Sequence, residues 1–443
     1  MEKKHVSSAL ELLGAVAPRE FVEMVEEDNG ISGSGVYTAF IVMWLMSYQW
    51  LRKKASLSDA VNELLKGPTK RILSNHKRVR ENKLSLNTGA YSQARSRLPL
   101  ELVETVVDYI CERMSEKENH LWQDKRAYIL DGSTLQLEHT KELAKAFPPN
   151  NNQYGKSHWP LMYICVATDL MTGVCQRPEY GAMYGTNAVS ETKLGRALMG
   201  RLEPSSIIVG DRGFGIFSVA YEATRCGHDV LLRVTNSRAK SLCKGSLPSK
   251  VDAQVTWRPS RYDLSKNTEI PEDSEISGRL IQVNMQGAGK NEALILFTTL
   301  TNAAVQELVD LYARRWNVEL DIRSLKQTLN MRSLPGKTKD MVIKELLMGI
   351  VAYNIIRHII SIAAEIYTVD PRRISFSRAA HMLTIVGEDI EDTFDDHKRI
   401  ESFEDALRYI GMMKIPKRKR KQTYPRKVYR PTLRYQTKPC SFY

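Results

Sequence analysis

Apolar positions recur every three to four residues through the first 120 residues, in SALELLGAVA, VYTAFIVMWLMSYQWL and LELVETVVDYICERM. That is the period of helices with one buried face, so the opening region is expected to be helical. Ser56 begins SLSD and predicts a capping box ahead of AVNELL. The pattern then changes. RAYILDGS (126–133) is a short apolar run closing on Asp131, as a buried strand does, and SSIIVGDRGF (205–214) is a second, closing on Asp211. Between them WPLMYICVATDLMTGVCQRPEYGAM (159–183) alternates around the turn signal DLMTG and reads as a hairpin, followed by helix from about Asn187 to Leu202. A helix from about Phe217 to Cys226 leads to the strand HDVLLRV (228–234).

From about Thr235 to Glu292 the chain is polar and rich in Ser, Pro, Gly and Lys, with strands expected at AQVTWRPS and GRLIQVNM. This β-rich insertion interrupts the α/β alternation. EALILFTTL (292–300) resumes it, and Thr301 or Asn302 is expected to cap the next helix. The expected organisation is a helical region (1–120), an α/β core in two parts (121–235 and 293–370), the β-rich insertion (236–292), and a C-terminal helical region with a basic tail (371–443). LLMGIVAYNIIRHIISIAAEIY (346–367) approaches membrane-span length, but Asn354, Arg357 and His358 fall in its middle. Charge at mid-bilayer is costly, so a buried helix and no membrane partner are expected. MEKKHVSSALELLG has no apolar signal core, and a cytoplasmic protein is expected.

Composition adds a partner. The 443 residues are 42% hydrophobic and 26% charged, ordinary for a globular protein of two or three domains. The net charge of +13 and a pI near 9.3 point to a polyanion, nucleic acid first. Residues 414–443 hold eleven Lys and Arg and no acid, leaving 13 − 11 = +2 for everything before them. Tyr424, Tyr429 and Tyr435 interleave with those cations, a mix suited to sugar–phosphate contact and stacking. Lys417, Arg418, Lys419, Arg420 and Lys421 are expected to meet DNA phosphates without reading sequence. A second basic block, Lys66 to Arg97, sets nine Lys or Arg against Glu81, so the N-terminal helices are expected to touch DNA as well. The six cysteines form no CxxC pair and no Cys/His cluster, which argues against zinc or a disulfide framework.

LYARRWNVELDIRSLKQTL (311–329) carries the chemistry. On one continuous helix Tyr312, Arg315, Glu319 and Lys326 fall within a stripe about 60° wide. Leu311, Val318, Ile322, Leu325 and Leu329 form an adjoining apolar stripe. Alone, this is also the pattern of a solvated face with an Arg315–Glu319 pair. The two aspartates change its meaning, because acids at the ends of sheet strands converge where α/β proteins place their sites. Two carboxylates there raise each other's pKa unless a cation sits between them. With Glu319 they make three hard oxygen ligands, suited to Mg²⁺ or Mn²⁺ and to two-metal phosphoryl transfer.

The pattern Y-x-x-R-W-x-V-E-x-x-x-x-x-x-K resembles the signature of bacterial insertion-sequence transposases of the DDE class. It is similar in particular to the cut-and-paste, insertion sequence four-like family marked by Tyr-Arg-Glu-Lys around the third acid. The ILDGS and GDRGF runs and the β-rich insertion extend the resemblance over roughly residues 125–360. It implies a ribonuclease-H-like core with Asp131, Asp211 and Glu319 as catalytic ligands of two Mg²⁺ (or Mn²⁺) ions. Tyr312, Arg315 and Lys326 would grip terminal phosphates, Arg212 would lie against DNA, and Trp316 would either pack near the DNA or be buried. Trp257 would either stack on a flipped base or fill the core of the insertion. The implied activity is binding of terminal inverted repeats as a dimer, cleavage at the element ends, and joining of 3′-hydroxyls to target DNA. Two rivals remain at this point: a structure-specific nuclease of the same fold, and a non-catalytic repressor descended from a transposase.

Overall fold

The computed structural model describes residues 13–14, 16–31, 35–53, 55–65, 73, 76–81, 83–115, 121–152, 155–247, 251–284, 293–392 and 396–416. At its centre is a mixed sheet of nine strands. They are β1 (Ala127–Leu137), β2 (Leu161–Asp169), β3 (Glu179–Ala182), β4 (Ile207–Gly210), β5 (Asp229–Arg233), β6 (Asp252–Trp257), β7 (Ile276–Asn284), β8 (Ala293–Thr298) and β9 (Ser333–Leu334). The path runs β3-β2-β1-β4-β5-β8-β7-β6, with β9 added to β1. The first three strands are antiparallel, and β4 and β5 lie parallel to β1 on its other side. That is the mixed α/β, ribonuclease-H-like arrangement expected.

Burial explains the sheet. Tyr128, Leu130, Ile208, Val230 and Leu232 point to one apolar cluster, with the helices Glu191–Met199 and Phe217–Arg225. Their neighbours Ala127, Ile129, Ile207, Val209 and Leu231 point to the other, with Leu308, Leu311 and Val318. The two-residue alternation of a strand thus feeds two helical layers. Strands β6 and β7 extend this same sheet and share its core. Trp257 is buried edge-on against Phe217 and Phe297, so it fills the core and offers no face to a base.

Two sequence expectations are corrected here. Strand β1 does not end at Asp131 but continues to Leu137, because Leu135 and Leu137 carry on the alternation into a third apolar cluster. Neither Thr301 nor Asn302 caps the helix before the signature. It begins at Val305, and the Glu307 carboxylate accepts the Ala304 N–H at 3.2 Å. The capping box at Ser56 is present, with Ser56 and Asp59 bonding reciprocally.

The long helix Lys339–Ile366 is apolar and long enough to cross a membrane, yet 89% of its most apolar window is buried inside the protein. Asn354 explains part of that: its amide donates to the Cys175 carbonyl at 2.8 Å and its Oδ1 accepts the Cys175 N–H at 2.9 Å. The N-terminal helices Ala39–Leu51 and Leu100–Ser115 pack on this helix within one apolar cluster, so they have no separate core. Arg95 and Glu345 tie the two regions together with a 2.7 Å ion pair.

Candidate active site

The register of β1 and β4 pairs Ala127 with Ile207 and Ile129 with Val209. Two residues further on, Asp131 stands level with Asp211, just past the end of β4. Alternation along β1 puts Asp131 on the face of Ile129. The edge of β1 that β4 leaves after Ile129 is taken up again by β9 at Gln136. The opening between them holds the acids. The Gly213 N–H donates to Asp211 Oδ1 at 2.7 Å, and the Gly132 N–H to Asp131 Oδ1 at 3.0 Å.

A third carboxylate stands here that the sequence reading did not single out. Glu191 opens the helix Glu191–Met199 on the opposite layer of the sheet. Residue 132 faces that layer and is glycine. A Cβ there would collide with Glu191 Oε1 and stand 2.7 Å from its Cδ. From beside Gly213, Asp211 Oδ1 is 3.1 Å and Glu191 Oε2 4.0 Å from the position a Cβ would take. Burial first, and then the Glu191 carboxylate, push Asp131 up to about 7, with Asp211 adding to the effect and Arg315 opposing it. Glu191 is itself raised by burial and by Asp211. The signal for it was the glycine after Asp131, since glycine inside a strand marks a close approach. A Glu behind Ser190 otherwise reads as an ordinary helix start.

The signature segment is not one α-helix, contrary to the expectation. Helix Val305–Ala313 ends before Arg314. The chain then tightens, with i→i+3 bonds from Arg314, Arg315, Asn317 and Val318 to Leu311, Tyr312, Arg314 and Arg315. Helix Trp316–Arg323 follows, and Ser324–Thr328 widens into a π-turn. Tight and wide turns rotate the chain by different angles, so the 60° stripe does not hold. The apolar set survives: Leu311, Val318, Leu325 and Leu329 are buried.

The polar set separates. Tyr312 is 7% exposed, and its hydroxyl is buried without a hydrogen-bond partner. Asp211 and Arg212 lie within its electrostatic reach. Lys326 feels Asp131, although burial is what mainly lowers its pKa. Arg315 acts on Asp131 while bonding Glu319 at 3.5 Å, and its guanidinium lies 5.0 Å from the Trp316 ring centre. Trp316, at 60% exposure, is displayed to solvent, as is Arg212. Glu319 is exposed and held on Arg315. Among the described residues no three His, Cys, Asp or Glu are grouped closely enough to hold an ion; Asp211 acts on Asp131, while Glu319 is paired with Arg315. Lys417, Arg418, Lys419, Arg420 and Lys421 lie outside the described residues, as do Lys66, Lys70 and Arg71 of the Lys66–Arg97 block.

Beneath Glu319 the helix is clamped from within. Asp321 is fully buried and accepts from Arg357 at 2.5 Å and from Arg372 at 2.8 and 3.1 Å. Arg357 also donates to the Tyr353 hydroxyl at 2.8 Å and lies over the Phe376 ring. Tyr353 donates to the carbonyl of Gly173 at 3.0 Å. Gly173 turns the β2–β3 connection with φ +81°, and a Cβ there would stand 2.8 Å from Arg357 Nε. The third-acid helix, the long helix and the hairpin are thus joined through one carboxylate.

Residues 122–355, more than half of the chain, match the family described as the transposase DDE domain. The transposase InsG of insertion sequence element IS4 from Escherichia coli (strain K12) is 24% identical over 416 residues, which cover 90% of this chain and 87% of that protein. A probable transposase of insertion sequence element IS5377 from Geobacillus stearothermophilus is 33% identical over 81 residues, 18% of this chain and 22% of that one. Among solved structures, a piggyBac transposase synaptic complex with hairpin DNA aligns with a TM-score of 0.41 and 11% identity, over 91% of this chain and 86% of that chain. With Asp131 and Asp211 meeting at one opening of the sheet, the chain belongs to the DDE transposases, enzymes of DNA cleavage and strand transfer.

Proposed function

We propose that the protein is the transposase of an insertion sequence. It binds the element's terminal inverted repeats as a dimer, cuts at their boundary, and joins the 3′-hydroxyl ends to target DNA. The observation that carries this reading is the convergence of Asp131 and Asp211 beside Arg315 and Lys326. DDE transposases use divalent metal ions, and the residues fit such a group: crowded acids, one of them raised to about 7, beside the orphaned Tyr312 hydroxyl. Asp131, Asp211 and Glu319 would hold two Mg²⁺ or Mn²⁺ ions, which supply Lewis-acid polarisation of the phosphate and activation of the attacking hydroxyl. Arg315 presents a planar fork to a phosphate and Lys326 a point charge. Because Glu319 is held on Arg315, a phosphate that takes the guanidinium frees the carboxylate to turn toward the aspartates.

The test is cleavage of labelled DNA carrying the element's own inverted repeat, with Mg²⁺, comparing wild type and Glu319→Gln. Breaks at the repeat boundary and joined products are expected from wild type only. Cleavage without joining would leave the nuclease reading, and binding without cleavage the repressor. For the tail, deletion of residues 417–443 is expected to flatten the salt dependence of DNA binding, by about 0.9 in log–log slope for each phosphate that the tail neutralises. An unchanged slope would mean that the tail neutralises none.

A further inference from the structure

The family's three acids do not account for Glu191. The Gly132 N–H serves Asp131 and Glu191 together, and the missing side chain at 132 is what admits the Glu191 carboxylate. Asp211 and Glu191 approach the same space beside Gly213. Tyr163 donates to Glu191, and no Lys or Arg pairs with it among the described residues. Three crowded acids with so little direct compensation repel one another, and a fold tolerates that where a cation enters. A second, independent sign is the Tyr312 hydroxyl, buried without a hydrogen-bond partner and within electrostatic reach of Asp211.

We propose that Glu191 is a further metal-holding carboxylate, which binds a divalent cation with Asp131 and Asp211 while Glu319 is still held on Arg315. The proposal rests on the reading of Asp131 and Asp211 as metal ligands. Among the described residues no three acids form a ready-made ion site, so the proposal requires Asp131, Asp211 and Glu191 to close together as the cation enters. The site is then competent to take up metal before DNA arrives, with two acids from adjacent strands and one from the opposite helical layer. The rival role for Glu191 is purely structural. An acid in the first turn of a helix is favoured by the helix dipole, and that role predicts the opposite effect on stability.

Calorimetric titration of Mn²⁺ into the full-length protein, with thermal unfolding of the metal-free form, tells them apart. Glu191→Gln keeps the shape and removes the charge. It is expected to weaken Mn²⁺ binding by roughly 10–100-fold and to raise the metal-free unfolding temperature by relieving repulsion. Gly132→Ala is expected to reproduce the loss of affinity, because the added methyl evicts the Glu191 carboxylate. Wild-type Mn²⁺ affinity in Glu191→Gln, with affinity lost in Asp131→Asn, would overturn the proposal and leave the two-aspartate reading intact. Unchanged affinity with a lower unfolding temperature would assign Glu191 to the helix start alone. If Asp131→Asn and Asp211→Asn also bind Mn²⁺ normally, the metal reading of the site fails and this proposal with it.

Discussion

Asp321→Asn is expected to cost the fold about 3–5 kcal/mol, the penalty for removing one partner of a buried ion pair. The carboxylate has no exposed surface and is the shared acceptor for Arg357, which is buried, and Arg372, whose side chain is 7% exposed. Asparagine keeps the volume but leaves two guanidinium groups facing a neutral amide at a position with no solvent exposure. A loss of that size is a large fraction of the stability of an ordinary domain. Denaturant unfolding checks it, and a loss below about 1 kcal/mol, the range of an exposed pair, would mean that water reaches the clamp. Cleavage should fall as well at temperatures where the variant is still folded, since Glu319 lies two residues from the clamp on the same helix.

Asp131→Asn is expected to separate activity from stability. Removal of a metal-holding carboxylate forfeits several kcal/mol of transition-state stabilisation. About 4 kcal/mol corresponds to a thousandfold fall in cleavage rate. The metal-free variant should nevertheless be more stable than wild type at neutral pH. Burial and the Glu191 and Asp211 carboxylates raise Asp131 from an ordinary carboxyl value of 3.8 to about 7. A raised carboxyl favours the fold while protonated, so its contribution is complete below about pH 4 and is lost as pH rises through about 7. Melting temperatures of the metal-free protein between pH 5 and 8 should decline more steeply for wild type than for Asp131→Asn. Parallel curves would show that Asp131 titrates normally.

Most of the sheet was legible because its chemistry is local. Short apolar runs such as IIVG before Asp211 and DVLLR after residue 228 declare buried strands by themselves. Where the reading failed, the deciding partners were distant in sequence. The length of β1 past Asp131 depends on a third apolar cluster built largely from helices at both ends of the chain. Counting residues on an ideal helix cannot give the break at Arg314 or the π-turn at Ser324–Thr328, through which Leu325 and Leu329 stay buried. Asp131 and Asp211 were found because each follows an apolar run. Glu191 was missed because its partner is a glycine's absent side chain, and Asp321 because nothing in VELDIRS announces two arginines from 36 and 51 residues away.

The long helix sets the timing of the protein's assembly. Ala39–Leu51 is apolar on nearly every side, and the surface that covers it is completed only when Ile366 has been made. A ribosome adds about 5–20 residues per second, so those roughly 300 intervening residues delay completion of that cover by about 15–60 s. The first and last thirds of the chain therefore complete their folding together, after synthesis of the catalytic strands. Each new molecule passes through a sticky interval in which its N-terminal helices must be sheltered.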